Sequence, residues 1–307
     1  DLAWRLRDKT HRIAEWICIT GTNGKTTTTQ LTEAMLVAGG KRVAACGNIG
    51  TPILDAIRDP EGFDALVVEL SSFQLHYLHP VSPLASAVLN IADDHLDWHG
   101  GMANYAKTKG KVYENTQLAC VYNVADASTR TLVEDADVIE GARAIGFTLG
   151  SPGRAEVGFV EDILVDRAFV ASYDEALPVA DLKDIGAIGV ITPHLLANVA
   201  AATALALAAG VERPSIRNAI RNFKLDHHRI ELVAEVDGIT WIDDSKATNP
   251  HATAASLASF DSVVWIVGGL LKGVDITPLV EKFAGKLRAA IVVGADRQPV
   301  LAALAAA

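Results

Sequence analysis

The sequence is poor in the groups that mark several protein classes. Its three cysteines, Cys18, Cys46 and Cys120, are isolated, odd in number and without CxxC spacing. They provide neither a disulfide framework nor a zinc signature, and they fit a reducing, cytoplasmic setting. Positive charge is short as well: 27 Lys and Arg stand against 37 Asp and Glu, a formal charge of -10. A chain this acidic has no broad electrostatic grip on nucleic acid or on an anionic membrane, so neither is expected as a partner. Any anionic ligand must therefore be met by local cations. Long apolar runs are also missing. The most apolar stretch, Leu195 to Val211, is mostly alanine and is interrupted by Asn198, Thr203 and Gly210, which reads as a buried helix rather than a membrane span. Trp4 to Arg12 is strewn with charges, so no cleavable leader is expected there.

What is present is an alternation. Half of the 307 residues are hydrophobic, enough for two ordinary domains. Strand-like runs at Ile13 to Thr20, Arg42 to Cys46, Ala65 to Leu70, Ala85 to Ile91 and Ala119 to Asn123 alternate with helical patterns, the first from Thr26. That pattern predicts an α/β fold, a mostly parallel sheet flanked by helices. Between Ala142 and Leu182 the composition shifts to glycine, proline and short pieces such as Ile163 to Val170, which predicts extra antiparallel strands. Helices are expected at Pro193 to Ala209 and Pro214 to Phe223, then a polar knot at Asp226 to Arg229. A hairpin follows around Asp237-Gly238, and strand and helix resume at Val263 to Val267, Pro278 to Leu287 and Ala289 to Val293. We place a domain boundary near Leu225, giving domains 1–225 and 226–307, the second a partial Rossmann-like α/β unit.

The first strand runs into Gly21-Thr22-Asn23-Gly24-Lys25-Thr26-Thr27 and then a helix. A tight glycine turn at a helix start gathers backbone N–H groups and the positive end of the helix dipole around phosphate oxygens. In this pattern Lys25 reaches the β- and γ-phosphates and the Thr26 hydroxyl ligates magnesium, so the segment predicts magnesium ATP binding. The full Walker spacing asks for glycine where Ile19 stands; the short form with Gly21 remains.

Phosphoryl transfer also needs a carboxylate at a neighbouring strand end. Glu69 closes the run Ala65 to Val68 and fits, although a solvated strand end is the bland alternative for any single glutamate. The next strand ends in Ala92-Asp93-Asp94-His95-Leu96-Asp97-Trp98-His99, which puts His95 on the same rim. Of Lys107, Lys109 and Lys111 on the helix expected at Met102 to Asn115, composition singles out none and makes all three surface lysines.

Five strings now converge: Ile19 to Thr26, Gly47 to Gly50, Glu69 to Leu75, Asp94 to Asp97 and Asp244-Ser245-Lys246-Ala247-Thr248-Asn249. In order and content they resemble the muramyl ligases of peptidoglycan synthesis, over nearly the whole chain. The Glu69 to Leu75 and Asp244 to Asn249 strings are most similar to the branch that uses D-glutamate. The resemblance implies a monomeric enzyme that makes an amide from ATP, UDP-N-acetylmuramoyl-L-alanine and D-glutamate through an acyl phosphate. Carried over by motif, Gly21 to Thr27 hold the phosphates, Thr26 and Glu69 bind one magnesium, and His95 binds a second. Lys109 matches the lysine that the family carbamylates to make a magnesium ligand, and Asn48 and Ser71 fall at the muramyl substrate. Asn198, Arg229 and Asp244 correspond to residues around adenine, γ-phosphate and ribose. Lys246, Thr248 and Lys272 fall where the family closes over nucleotide and glutamate. The resemblance also implies further length, an N-terminal uridine-binding domain and a longer C-terminal tail, so the chain reads as a fragment. A sibling ligase for another amino acid or a folate glutamate, and an ATPase module without ligase activity, remain the alternatives.

Overall fold

The computed structural model describes residues 1–9, 12–79, 81–172, 174–271 and 274–307. They divide into two compact units, Asp1–Leu225 and Asp226–Ala307.

The first unit is built on a nine-stranded sheet. Its strands are β1 (Glu15–Thr20), β2 (Val43–Gly47), β3 (Ala65–Glu69), β4 (Ala85–Val88), β5 (Ala119–Asn123), β6 (Arg143–Phe147), β7 (Glu156–Val160), β8 (Ile163–Asp166) and β9 (Leu177–Asp181), in spatial order 2-3-1-4-5-6-7-8-9. Pairing is parallel from β2 through β7 and antiparallel along β7-β8-β9. The central strands β1, β3 and β4 are mostly apolar and buried at every position but Glu15, because both faces are covered. In β1, Ile17 and Ile19 enter one core while Trp16 and Cys18 enter the other; in β3, Ala65 and Val67 oppose Leu66 and Val68 in the same way.

One face is covered by the helix Lys25–Ala38 and by the alanine-rich helix Pro193–Ala208, the expected buried helix. Thr192 caps the latter by accepting the Leu195 N–H, and proline occupies its first turn. No helix among the described residues is long and apolar enough to cross a membrane. All three cysteines are free and buried. The antiparallel edge is fastened by the helix Arg213–Asn222, whose Arg213, Arg217 and Arg221 project at four-residue intervals onto one face. Arg213 binds the fully buried Asp166, Arg217 binds Asp181 and Asp184, and Arg221 binds Asp184.

Several expected ends move inward. β4 stops at Val88 rather than Ile91, because Asn90 and Ala92 turn their hydrogen bonds toward the phosphate loop and Ile91 N–H donates to Asp126 Oδ2. The helix from Met102 ends at Gly110 and tightens into a 3-10 turn over Lys111–Tyr113, and Asn115 takes a left-handed φ of 56°. The strand expected from Ile163 to Val170 stops at Asp166, whose carboxylate turns the chain by accepting the Ala168 and Phe169 N–H groups.

In the second unit β10 (Glu231–Val236) and β11 (Ile239–Asp243) form the expected hairpin, with positive φ at both Asp237 and Gly238. β12 (Val263–Gly268) and β13 (Leu287–Val293) pair in parallel, joined by a crossover containing the helix Thr277–Phe283. That helix is shorter than the Pro278 to Leu287 pattern suggests, since Ala284–Lys286 form a 3-10 turn. Trp265, Leu279, Val280, Phe283 and Val300 make its core.

Candidate active site

The carboxyl ends of β1, β3 and β4 form one rim at the point where the chain leaves β1 to either side, the usual ligand position in an open parallel sheet. β1 runs directly into the glycine turn. Gly21 packs so closely on the residue after β4 that a Cβ would lie 3.0 Å from that of Leu89, and Gly24 caps the helix in the left-handed region with φ 82°. The first intrahelical bond runs from Thr28 N–H to the Gly24 carbonyl, so the N–H groups of Gly24, Lys25, Thr26 and Thr27 have no acceptor within the helix. Two amides expected in the phosphate cradle are committed elsewhere. Thr22 N–H donates to the Asn90 carbonyl at 3.0 Å and Asn23 N–H to Asn90 Oδ1 at 2.8 Å.

Lys25 Nζ donates to the carbonyls of Gly21 and Thr22, each at 2.9 Å. Lys109 arrives at the same loop from the helix Met102–Gly110, donating to Gly21 O at 2.9 Å and Thr20 Oγ1 at 3.3 Å. It is only 2 % exposed, which corrects the composition-based expectation of three surface lysines; Lys107 is exposed and Lys111 partly so. Burial first, then repulsion from Lys25, pulls the Lys109 ammonium down to about 7, against the pull of Asp94 and Glu69.

Glu69 lies at the end of β3, in register with Ile19 and Gly47 and 2 % exposed. Its Oε1 accepts from Asn48 Nδ2 at 3.0 Å, and its Oε2 is buried with no hydrogen-bond partner among the described residues. A buried carboxylate oxygen left unpaired is unfavourable and fits a hard cation. His95 takes a left-handed φ of 52° at the head of the short helix Leu96–His99, its ring 4.8 Å from that of Phe73 and its Nε2 3.6 Å from Asp94 Oδ1. Phe73 also packs on Trp98, and the buried His99 holds Ser72 Oγ at 3.0 Å, so the segments after β3 and β4 are stitched together. Ser71 caps the helix Ser72–His76 in a reciprocal box with Gln74. Asn198 approaches the loop from the helix Pro193–Ala208, its Oδ1 accepting from Thr28 Oγ1 at 3.3 Å.

The structure therefore brings the loop with Lys25 and Thr26, together with Asn48, Glu69, Ser71, His95, Lys109 and Asn198, into the first unit around one rim. Asn90 joins them, although it carries no sequence signal beyond that of a polar residue at a strand exit. Arg229, Asp244, Lys246 and Thr248 lie in the second unit, and Lys272 lies outside the described residues. There Asp244 accepts from Ile230 N–H at 3.1 Å and from Ser256 Oγ, and burial pushes its carboxyl up. Arg229 Nε is buried without a partner among the described residues, while Lys246 and Thr248 are exposed. His228, Glu231 and Asp243 cluster within 4.8 Å, and they bind one another: His228 Nδ1 lies 2.6 Å from Asp243 Oδ2, and Glu231 Oε2 accepts the His228 N–H.

Comparison with known proteins decides the family. Residues 19–206 match the Mur ligase middle domain, and residues 228–307 match the Mur ligase glutamate ligase domain. This chain belongs to the Mur ligase family. Among curated Mur ligases, the UDP-N-acetylmuramoylalanine--D-glutamate ligase of Leifsonia xyli subsp. xyli is 57% identical over 97% of this chain and 60% of the relative. The protein of that name in Streptomyces coelicolor is 52% identical over 99% of this chain and 64% of the relative. The chain thus spans about three-fifths of the length of the curated relatives it matches. Solved structures share the fold: MurF from Acinetobacter baumannii superposes with a TM-score of 0.75 at 19% identity, covering 99% of this chain and 68% of that one. Escherichia coli FolC in complex with ADP gives 0.68 at 17% identity, covering 99% and 82%.

Proposed function

We propose that the protein joins D-glutamate to UDP-N-acetylmuramoylalanine at the expense of ATP. The substrate carboxylate attacks the γ-phosphorus and ADP leaves, giving an acyl phosphate. The D-glutamate amine then attacks the acyl carbon, the C–N bond forms, the bond to phosphate breaks, and the amine gives up a proton. The observation that carries this reading is the rim itself, where a glycine turn, Lys25, a buried lysine with a depressed pKa and the Oε2 of Glu69, unpartnered among the described residues, meet. The relatives' names supply the substrates, because the 57% identity to one of them extends over 97% of this chain.

Each group has a task in this scheme. The amides of Gly24 to Thr27 and the helix dipole hold the β- and γ-phosphates, and the Lys25 ammonium follows the charge that builds on the transferring group. Thr26 and Glu69 would hold one magnesium, and His95 and a carbamylated Lys109 a second; the ions supply charge neutralisation at the phosphoryl group. Only a neutral amine adds carbon dioxide, and burial beside Lys25 brings a sizeable share of Lys109 into that form near neutral pH. Asn48 orients Glu69 and faces the muramyl substrate, with Ser71 beside it. Asn198 reads the adenine, Arg229 and Asp244 bind γ-phosphate and ribose, and Lys246, Thr248 and Lys272 close over nucleotide and glutamate. The enzyme works as a cytoplasmic monomer.

The test is phosphate release by the protein at its relatives' full length, with ATP, UDP-N-acetylmuramoyl-L-alanine and a panel of amino acids. Release should depend on D-glutamate. Release that ignores it would reject the assignment, a different preferred amino acid would point to a sibling ligase, and hydrolysis with no acceptor carboxylate to a plain ATPase.

A further inference from the structure

We infer that Asn90 is a positioning residue that sets the shape of the phosphate loop before any nucleotide arrives. The inference rests on the loop being the ATP phosphate cradle, as proposed above. Asn90 lies two residues beyond β4, where Leu89 N–H still bonds to Thr20 O in sheet fashion at 3.0 Å. From there it grips the glycine turn three times. Its carbonyl accepts Thr22 N–H at 3.0 Å, its Oδ1 accepts Asn23 N–H at 2.8 Å, and its Nδ2 donates to Asn23 O at 3.0 Å. The two side-chain bonds run in opposite senses to one peptide unit on either side of Asn23, an arrangement that only a carboxamide in this orientation satisfies. The neighbouring Ala92 tightens the grip, its N–H donating to Thr22 Oγ1 at 2.9 Å and its carbonyl accepting from that hydroxyl at 3.1 Å.

The consequence is chemical. A glycine turn gains from glycine's freedom when it folds around phosphate, but ordering that freedom opposes binding. Here the ordering has already happened. The Asn23 amide is not a phosphate donor in this state; it is the anchor through which Asn90 fixes the turn, leaving the amides from Gly24 onward aimed by the helix. Removing the Asn90 side chain should therefore weaken nucleotide binding without deleting any group that touches nucleotide.

The experiment compares three versions of this chain by calorimetric titration with ADP and magnesium: wild type, Asn90→Ala and Asn123→Ala. Asn123 is the matched comparator, because on the adjacent strand its side chain also makes two hydrogen bonds, to Leu89 O and Ala125 N–H, and neither reaches the loop. Losing two hydrogen bonds that hold the loop predicts a roughly tenfold or greater rise in Kd for Asn90→Ala. Asn123→Ala should bind like the wild type. In the full-length ligase the KM for ATP should rise in Asn90→Ala while those for the two other substrates stay. Equal weakening in both variants, or an Asn90→Ala affinity within about twofold of wild type, overturns the inference. A wild-type chain that binds no ADP overturns the cradle reading and this inference with it. Amide hydrogen exchange of the ligand-free wild type needs no variant to fold: slow exchange at Asn23 is expected, and exchange as fast as in an open loop overturns the proposal.

Discussion

Lys25 and Lys109 converge on a single acceptor, the carbonyl oxygen of Gly21, each with its Nζ at 2.9 Å. Two ammonium groups so close repel, and the buried one yields, which is why Lys25 follows burial among the causes that pull Lys109 down to about 7. The loop thus carries two unlike lysines, the more accessible Lys25 and the buried Lys109, whose ammonium is held down to about 7.

Lys25→Ala in the full-length protein should lower turnover by roughly a hundredfold or more, the usual scale for removing a preorganised group from a developing charge. Phosphate release under saturating substrates is the measurement. Wild-type turnover would remove Lys25 from the phosphoryl step.

For Lys109 the sign of the pH effect follows from its shift. Between about 7 and the ordinary 10.5 the unfolded chain carries the proton and the folded chain does not, so stability rises with pH through that window. In buffers free of carbon dioxide, wild type should gain stability relative to Lys109→Met as pH climbs from 7 toward 10, by up to roughly 1.4 kcal/mol per pH unit. Denaturant unfolding at several pH values checks this. Parallel curves for the two proteins would mean that Lys109 stays charged in the fold. In activity assays Lys109→Ala should be inactive and recover in part with short added carboxylates, which can take the place of a carbamate.

Glu69 Oε2 gives a prediction that needs no turnover. If a cation completes that oxygen, magnesium should raise the melting temperature of the wild-type chain in a concentration-dependent way. Glu69→Gln should flatten the response while keeping the shape of the site. An identical magnesium response in both proteins would place the ion elsewhere.

The sequence showed these features unequally, and the reason is range. The β1 strand, the glycine turn and the helix after it are written in adjacent residues, so both the pattern and its chemistry could be read directly. The β10–β11 hairpin was legible for the same reason, since Asp237-Gly238 supplies both positive φ angles locally. Lys109 was not. Nothing around it distinguishes it from Lys107 or Lys111, and its burial arises because the helix Met102–Gly110 lies over the end of β1, 88 residues away in sequence from the Gly21 carbonyl it meets. Only the resemblance pointed to it. Asn90 was missed entirely, because its partners lie 67 residues earlier in the chain and a polar residue closing an apolar run looks like any strand exit. The early end of β4 has the same origin, with tertiary bonds to the loop taking over from the sheet.

Gly24 ties the loop to Asn198, which makes Gly24→Ala a test of both. Its φ of 82° lies in the left-handed region, where a Cβ costs about 1–2 kcal/mol. Space adds a second effect: a Cβ built there would collide with Asn198 Oδ1, so Asn198 must move, along with its bond from Thr28. The variant should lose stability on the scale of the strain and lose nucleotide affinity by more than that strain explains. Rotating Gly24 toward ordinary φ redirects the first amides of the helix, and displacing Asn198 removes its side chain from the loop. The double variant Gly24→Ala with Asn198→Ala separates the two. Relief of the collision should restore part of the lost stability and none of the lost ADP affinity, measured by thermal melts and by titration. A double variant that regains affinity would show that Asn198 acts only as an obstacle and has no part in holding the nucleotide.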